Sequence, residues 1–196
     1  MRLQTLTASL LASITLATPI RRDVSAELYT LRLATPYTPL NGLYLHALTP
    51  AQNATAGIAL GVTPSTQGGD DSAAVVVYPV ANPASGLAEL HTPDGGALVL
   101  VGRHGLLDLA SVVGDPAAAP VPDGVTIDWT SFKLADDDGA GSLGFAGGVG
   151  RWVAFPSAPA KSGDPQAWGV KFKDSTAATT ENYVPVTILY EPLKKE

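Results

Sequence analysis

Arg103-His104-Gly105 is the tripeptide of this chain that comes closest to a catalytic motif. It follows an apolar run at 98–101, where phosphohistidine enzymes place an Arg-His-Gly whose imidazole attacks phosphorus. That chemistry also needs a second histidine and further arginines around the phosphate, and a helix after the motif. Residues 106–109 predict another strand instead. The sequence therefore favours a hairpin that carries the motif by chance.

Three consecutive carboxylates, Asp136 to Asp138, precede Gly139 and suggest calcium. An EF-hand alignment on this glycine places Leu134 and Phe145 at the first and last loop positions, where carboxylate ligands belong. The run therefore predicts a solvated hairpin tip, with a weak calcium site of another type as the alternative. The chain contains no cysteine, which removes thiol catalysis and thiolate metal sites. We expect no metal and no cofactor.

Three tryptophans, Trp129, Trp152 and Trp168, lie in the C-terminal half. Exposed indoles stack on sugar rings, whereas buried indoles fill a core. The alternation in 168–173 places Trp168 on the apolar side of a strand, which favours the core. The three indoles are nevertheless the candidate ligand-binding residues if the protein binds carbohydrate.

The elements that must position these residues are strands. Short runs rich in β-branched and aromatic residues recur between Gly, Pro, Asn and Asp, and Pro93-Asp94-Gly95-Gly96 predicts a tight hairpin turn. The predicted strands are 28–34, 42–48, 58–62, 73–80, 88–91, 97–101, 106–109, 125–127, 131–134, 143–146, 152–156, 168–173 and 184–190. The Ala-rich stretch at 115–122 is predicted to be an extended loop because its prolines break helices. This pattern predicts a single all-β domain, either an antiparallel sandwich or a compact barrel, with a trefoil arrangement possible.

The N-terminal residues read as an export signal. Residues 1–17 combine Arg2, an apolar stretch and a small-x-small ending, and are too short and hydroxyl-rich for a membrane span. A short propeptide at 18–22 ends in the dibasic pair Arg21-Arg22, so the predicted mature domain is 23–196. Asn53 begins the sequon Asn53-Ala54-Thr55, a predicted glycosylation site.

The formal net charge of −6 at pH 7, with 12 basic against 18 acidic residues, argues against nucleic acid and anionic membranes as partners. The basic residues form no stripe in the sequence. The acidic balance favours solubility. Oligomeric state stays open.

Four segments together resemble the phialide-type cell-wall proteins and related surface antigens of fungi. These are NGLYL at 41–45, PDGGALVL at 93–100, GRWVAFP at 150–156 and AWGVKF at 167–172. The resemblance implies a secreted, wall-associated role without catalytic residues. We therefore expect a non-enzymatic protein that presents loops at 64–71 and 161–166 to wall polysaccharide or a host surface. A carbohydrate-binding module is the alternative, and an extracellular hydrolase with carboxylates convergent in space is the third.

Overall fold

The computed structural model describes residues 27–48, 57–64, 73–135, 141–157 and 165–193. These residues are all-β and contain no α-helix, which confirms the predicted fold class. The strands are β1 Tyr29–Ala34, β2 His46–Ala47, β3 Ile58–Val62, β4 Val76–Asn82, β5 Leu87–His91, β6 Gly96–Arg103, β7 Leu106–Val113, β8 Thr126–Asp128, β9 Phe132–Ala135, β10 Gly141–Phe145, β11 Gly150–Pro156, β12 Trp168–Asp174, β13 Val184–Pro185 and β14 Thr187–Pro192.

Six of these strands close into an antiparallel barrel. β1 pairs with β4, β5 with β9 and β10 with β14, and β4–β5, β9–β10 and β14–β1 join these three pairs into a ring. Closure leaves the ring itself without an unpaired edge. Of the architectures that the sequence left open, the structure is therefore the barrel.

Three hairpins lie outside this ring: β2–β3, β6–β7 and β11–β12. The second strands of the three hairpins, β3, β7 and β12, pair with one another in a triangle. The facing residues on its three sides are Ala59 and Ala110, Leu107 and Phe172, and Gly169 and Gly61. A Cβ on Gly61 would lie 2.1 Å from the carbonyl oxygen of Trp168. The triangle can close at this point only because residue 61 has no side chain.

The chain therefore repeats one pattern three times, over 29–82, 87–135 and 141–192. Each unit supplies a barrel strand, a hairpin and a second barrel strand, which is the connectivity of a β-trefoil. After each hairpin the chain returns along the hairpin's first strand. In the first unit a single bridge between Ala74 and His46 of β2 marks this return. In the second unit β8 pairs with β6, and in the third unit β13 pairs with β11.

The core fills the barrel and the space beneath the hairpins. Among the described residues the core contains 21 buried side chains, and those that lie in strands alternate with outward-facing residues. The largest fully buried side chains are Phe132, Leu31, Leu33, Leu40, Leu45, Leu60, Leu90, Leu98, Leu100, Leu109, Leu143 and Ile188. This apolar interior removes enough surface from water to support a cysteine-free domain.

Two local expectations need correction. The predicted strand 42–48 is a strand only at β2, with a single bridge from Tyr44 to Arg32, because residues 37–42 form consecutive turns that lead into it. The loop predicted at 115–122 contains one 3₁₀ turn at Pro116–Ala118, because the Asp115 carboxylate accepts a hydrogen bond from the Ala117 amide and caps it. Within the described ranges, no helix is long and apolar enough to cross a membrane.

Candidate functional site

The three candidate tryptophans lie in three different surroundings. Trp152 is 5 % exposed, packs edge-on against Phe172 and donates its indole N–H to the carbonyl of Leu143 at 2.5 Å. This burial leaves no ring face that a sugar can reach. Trp129 is half-buried over a separate apolar cluster on the outside of the β6–β7 hairpin. No ring contact in the described part of the chain joins any two of the three indoles.

Trp168 lies at the start of β12 and is half-buried against the core. Its ring is 5.8 Å from the ring of Tyr37, tilted by 51°. Tyr37 is 42 % exposed and belongs to the turn after β1, which is anchored by the fully buried Leu40. The fold thus brings an exposed aromatic ring next to Trp168, a neighbour that is 131 positions away in the sequence and that strand periodicity does not reveal.

The Arg-His-Gly motif forms the tip of the β6–β7 hairpin, as the sequence predicted. Arg103 faces Leu106 in the ladder, and the two intervening residues both have positive φ, 53° for His104 and 74° for Gly105. Two left-handed residues in a two-residue loop make a type I′ turn. The Arg103 guanidinium donates to the carbonyl of Asp123 at 2.9 Å, so it holds the neighbouring loop.

The histidines do not converge. His46 Nε2 lies 3.1 Å from the Thr63 hydroxyl, and His91 Nε2 lies 2.9 Å from a carboxylate oxygen of Glu89. The His91 ring stacks on Tyr78 across the β4–β5 ladder. Among the described residues there is also no group of three or more His, Cys, Asp or Glu side chains that could bind a metal ion.

Several aspartates are bonded into turns. Asp115 accepts from the Ala117 amide at 2.9 Å, and Asp128 accepts from the Thr130 and Ser131 amides at 2.9 and 3.1 Å.

The Thr92 hydroxyl beside Asp94 holds the pKa of that carboxyl below its usual value of 3.8. The Thr176 amide and hydroxyl do the same for the pKa of Asp174, at 2.8 and 2.7 Å. A lowered pKa is opposite to what a general acid needs near neutral pH.

A cationic group forms where the sequence showed only scattered basic residues. Arg151 of β11 lies directly opposite Lys173 of β12, and Lys171 faces Val153 two positions further along the same ladder. Lys171 is paired with Asp108 of β7 at 2.8 Å and lies over the Phe155 ring. The period-two alternation of β12 puts Lys171 and Lys173 on one face of the strand, but the position of Arg151 beside them depends on the register of β11 against β12, which is not local information.

Several predicted features lie outside the described residues. These are the export segments 1–17 and 18–22 with Arg21 and Arg22, the sequon at Asn53, the acidic run Asp136–Asp138, and most of the loops at 64–71 and 161–166. No family model, no curated protein and no solved structure matches this chain.

Proposed function

We propose that this chain is a non-catalytic, exported protein of the fungal cell surface or wall, in which the closed barrel is a rigid scaffold for binding loops. The observation that carries the proposal is that the polar side chains described above mainly hold turns in place. The aspartates described above cap turns, and the three histidines lie in three separate places. Carboxylates used in this way stabilise a fold, and the lowered pKa values of Asp94 and Asp174 are opposite to what a general acid needs near neutral pH.

Export and location are tested together by expressing the C-terminally tagged full chain in a fungal host. We expect the product in the wall or medium, beginning at residue 23 and carrying a glycan on Asn53, as read by intact-mass and N-terminal peptide analysis. Arg22→Ala abolishes the start at residue 23 if the dibasic pair is the processing site, and Asn53→Gln removes the glycan mass. A cytosolic product that retains residues 1–17 contradicts the proposal.

Carbohydrate binding is the second candidate function, and the Tyr37–Trp168 pair favours it. Adjacent aromatic rings with an exposed face are the apolar component of many sugar sites, because C–H faces of sugars pack on them. The turn that carries Tyr37 is held by the buried Leu40, so the ring is pre-positioned.

The test is retention of the purified protein on insoluble wall polysaccharide. We expect Tyr37→Ala to reduce retention strongly and Trp168→Ala to do the same, whereas Trp129→Ala retains binding. Tyr37→Ala is the decisive variant, because Tyr37, at 42 % exposure, is the more exposed ring of the pair and Trp168 packs against the core. Equal retention of wild type, Tyr37→Ala and Trp129→Ala excludes this pair as a sugar site.

A further inference from the structure

A cavity of about 250 Å³ opens beside the third hairpin, where β11 begins and β12 ends. Three short segments converge on it: the turn into β11, the end of β12, and the residue before β13. Its lining is Val149, Gly150, Arg151, Lys173, Asp174, Ser175 and Tyr183. Ligand pockets for drug-sized molecules begin at about 300 Å³, so this volume suits one small group, such as the terminal ring of a longer molecule.

The charges in this cavity oppose the charge of the whole chain. Arg151 and Lys173 are directly opposite each other in the ladder, in a protein of net charge −6. Like charges in directly opposite positions destabilise a sheet. Among the described residues neither cation forms an ion pair within 4 Å. The Lys173 ammonium donates to the Asp174 carbonyl at 3.4 Å and, after the hydrogen bonds from Thr176, its charge also helps to lower the pKa of the Asp174 carboxyl. Arg151 is exposed and has no carboxylate partner among the described residues, so the two cations together leave positive charge at the cavity for an anionic group.

Two further side chains restrict which anion fits. Asp174 is bonded to the Thr176 amide and hydroxyl through one carboxylate oxygen, which fixes its position on the cavity wall as a hydrogen-bond acceptor. Tyr183 is 37 % exposed, and its ring is held against Phe155 at 5.6 Å. A phosphate dianion suits this wall poorly because Asp174 repels a second negative charge. A molecule with one carboxylate and several hydroxyls fits, since its hydroxyls donate to Asp174 and its apolar face packs on Tyr183.

We propose that this cavity binds the carboxylate of an acidic sugar, with Arg151 and Lys173 holding the carboxylate, Asp174 accepting from ring hydroxyls and Tyr183 packing against the ring. The guanidinium of Arg151 presents the donor geometry that matches a carboxylate, and Lys173 adds a second charge. The site is separate from the Tyr37–Trp168 pair and is a property of the purified protein, so it does not depend on export or on wall attachment.

The experiment is calorimetric titration of the purified protein at low ionic strength with trigalacturonate, its fully methyl-esterified form and inorganic phosphate. We expect trigalacturonate to bind, and the ester and phosphate to bind at least about tenfold more weakly. Arg151→Gln and Lys173→Gln each reduce trigalacturonate affinity by about tenfold or more, since each removes a charge-assisted hydrogen bond. Lys133→Gln is the matched control: it removes an exposed cation from β9, and affinity stays unchanged.

Thermal unfolding of the same variants separates binding from structural roles. Arg151→Gln leaves the midpoint equal to or above that of wild type, because it removes a like-charge contact. Lys173→Gln changes the midpoint little, because the like-charge contact it removes is offset by the loss of the favourable charge interaction with Asp174. The proposal is overturned if trigalacturonate does not bind, if the ester or phosphate binds as tightly, or if the two variants bind like Lys133→Gln. A lower midpoint with unchanged affinity likewise overturns it. None of these outcomes alters the tests of export or of the aromatic pair.

Discussion

The β6–β7 and β11–β12 hairpins occupy equivalent places in the repeated unit but have different outer faces. The outer face of β6–β7 is aliphatic and forms a second buried cluster under the segment that follows β7. This cluster contains Val99, Val101, Ala110 and Val112, covered by Ala119, Val125, Ile127 and Trp129. The outer face of β11–β12 buries Val153 and Phe155 but surrounds them with Arg151, Lys171 and Lys173.

The inner faces of the two hairpins are alike. Leu98 and Leu100 of β6, and Trp152 and Ala154 of β11, all belong to the main core. The inner faces must be apolar because they close the end of the barrel. The residue types on an outer face depend instead on whether another segment or solvent covers it. Both inward surfaces therefore contribute to the main core, one outward surface forms a second apolar cluster, and only the outward surface of β11–β12 carries a group of cations.

Truncating a buried side chain on the inner face of the third hairpin should destabilise the protein most. We expect Trp152→Ala to lower the free energy of unfolding by about 3 to 5 kcal/mol, since it removes a buried ring and leaves a cavity. Trp129→Ala, on the outer face of the second unit, is expected to cost about 1 kcal/mol because the ring is half-exposed. Urea denaturation measures both. Similar losses for the two variants contradict the division between inner and outer faces.

The next effect tests whether the outer face of β6–β7 is a true secondary core. Val99 is fully buried there, and we expect Val99→Ala to cost about 2 kcal/mol in the same denaturation measurement. Val149→Ala serves as the matched control, because Val149 is 79 % exposed and its truncation removes almost no contact. A loss no greater than that of the control means that the segment after β7 does not seal this face.

A smaller effect of opposite sign is expected at the hairpin tips. The β6–β7 tip holds His104 at φ 53°, in the left-handed region that asparagine and glycine adopt with less strain. We expect His104→Asn to raise the free energy of unfolding by about 0.5 kcal/mol. The thermal midpoint should rise accordingly, and a decrease shows that the imidazole makes a stabilising contact beyond the turn.

The smallest effect is a pH dependence of stability. It arises from Asp94, just before β6, and Asp174, at the end of β12, both of which have lowered pKa values. A carboxyl whose pKa is lower in the folded state stabilises the protein above its unfolded pKa, near 3.8, and loses that contribution as pH falls through the folded pKa. We expect Asp94→Asn and Asp174→Asn each to lower the unfolding midpoint slightly at pH 7. The difference from wild type should shrink as pH falls below 3.8, and a difference that persists unchanged in acid points to a neutral hydrogen bond instead.

Local sequence patterns predicted most of the strands and some of the turns, but they did not predict which strands pair to close the barrel. The alternation of Trp168, Val170 and Phe172 identified β12, and the glycine after His104 marked a turn, because both depend on neighbouring residues. The pairing of Arg151 with Lys173 depends on register across a long connection, and the barrel depends on strands more than 150 residues apart, such as β1 and β14. Neither relationship leaves a local pattern, which is why the cationic cavity was missed.

The most direct test of the closed threefold arrangement is an NMR measurement of contacts across the triangle of β3, β7 and β12. We expect interstrand contacts at all three sides: Ala59 with Ala110, Leu107 with Phe172, and Gly61 with Gly169. Slow amide exchange at the same pairs should accompany them. If the contacts on any one side are absent in the folded protein, the three hairpins do not close into one cap, and the scaffold on which both proposed binding sites depend is contradicted.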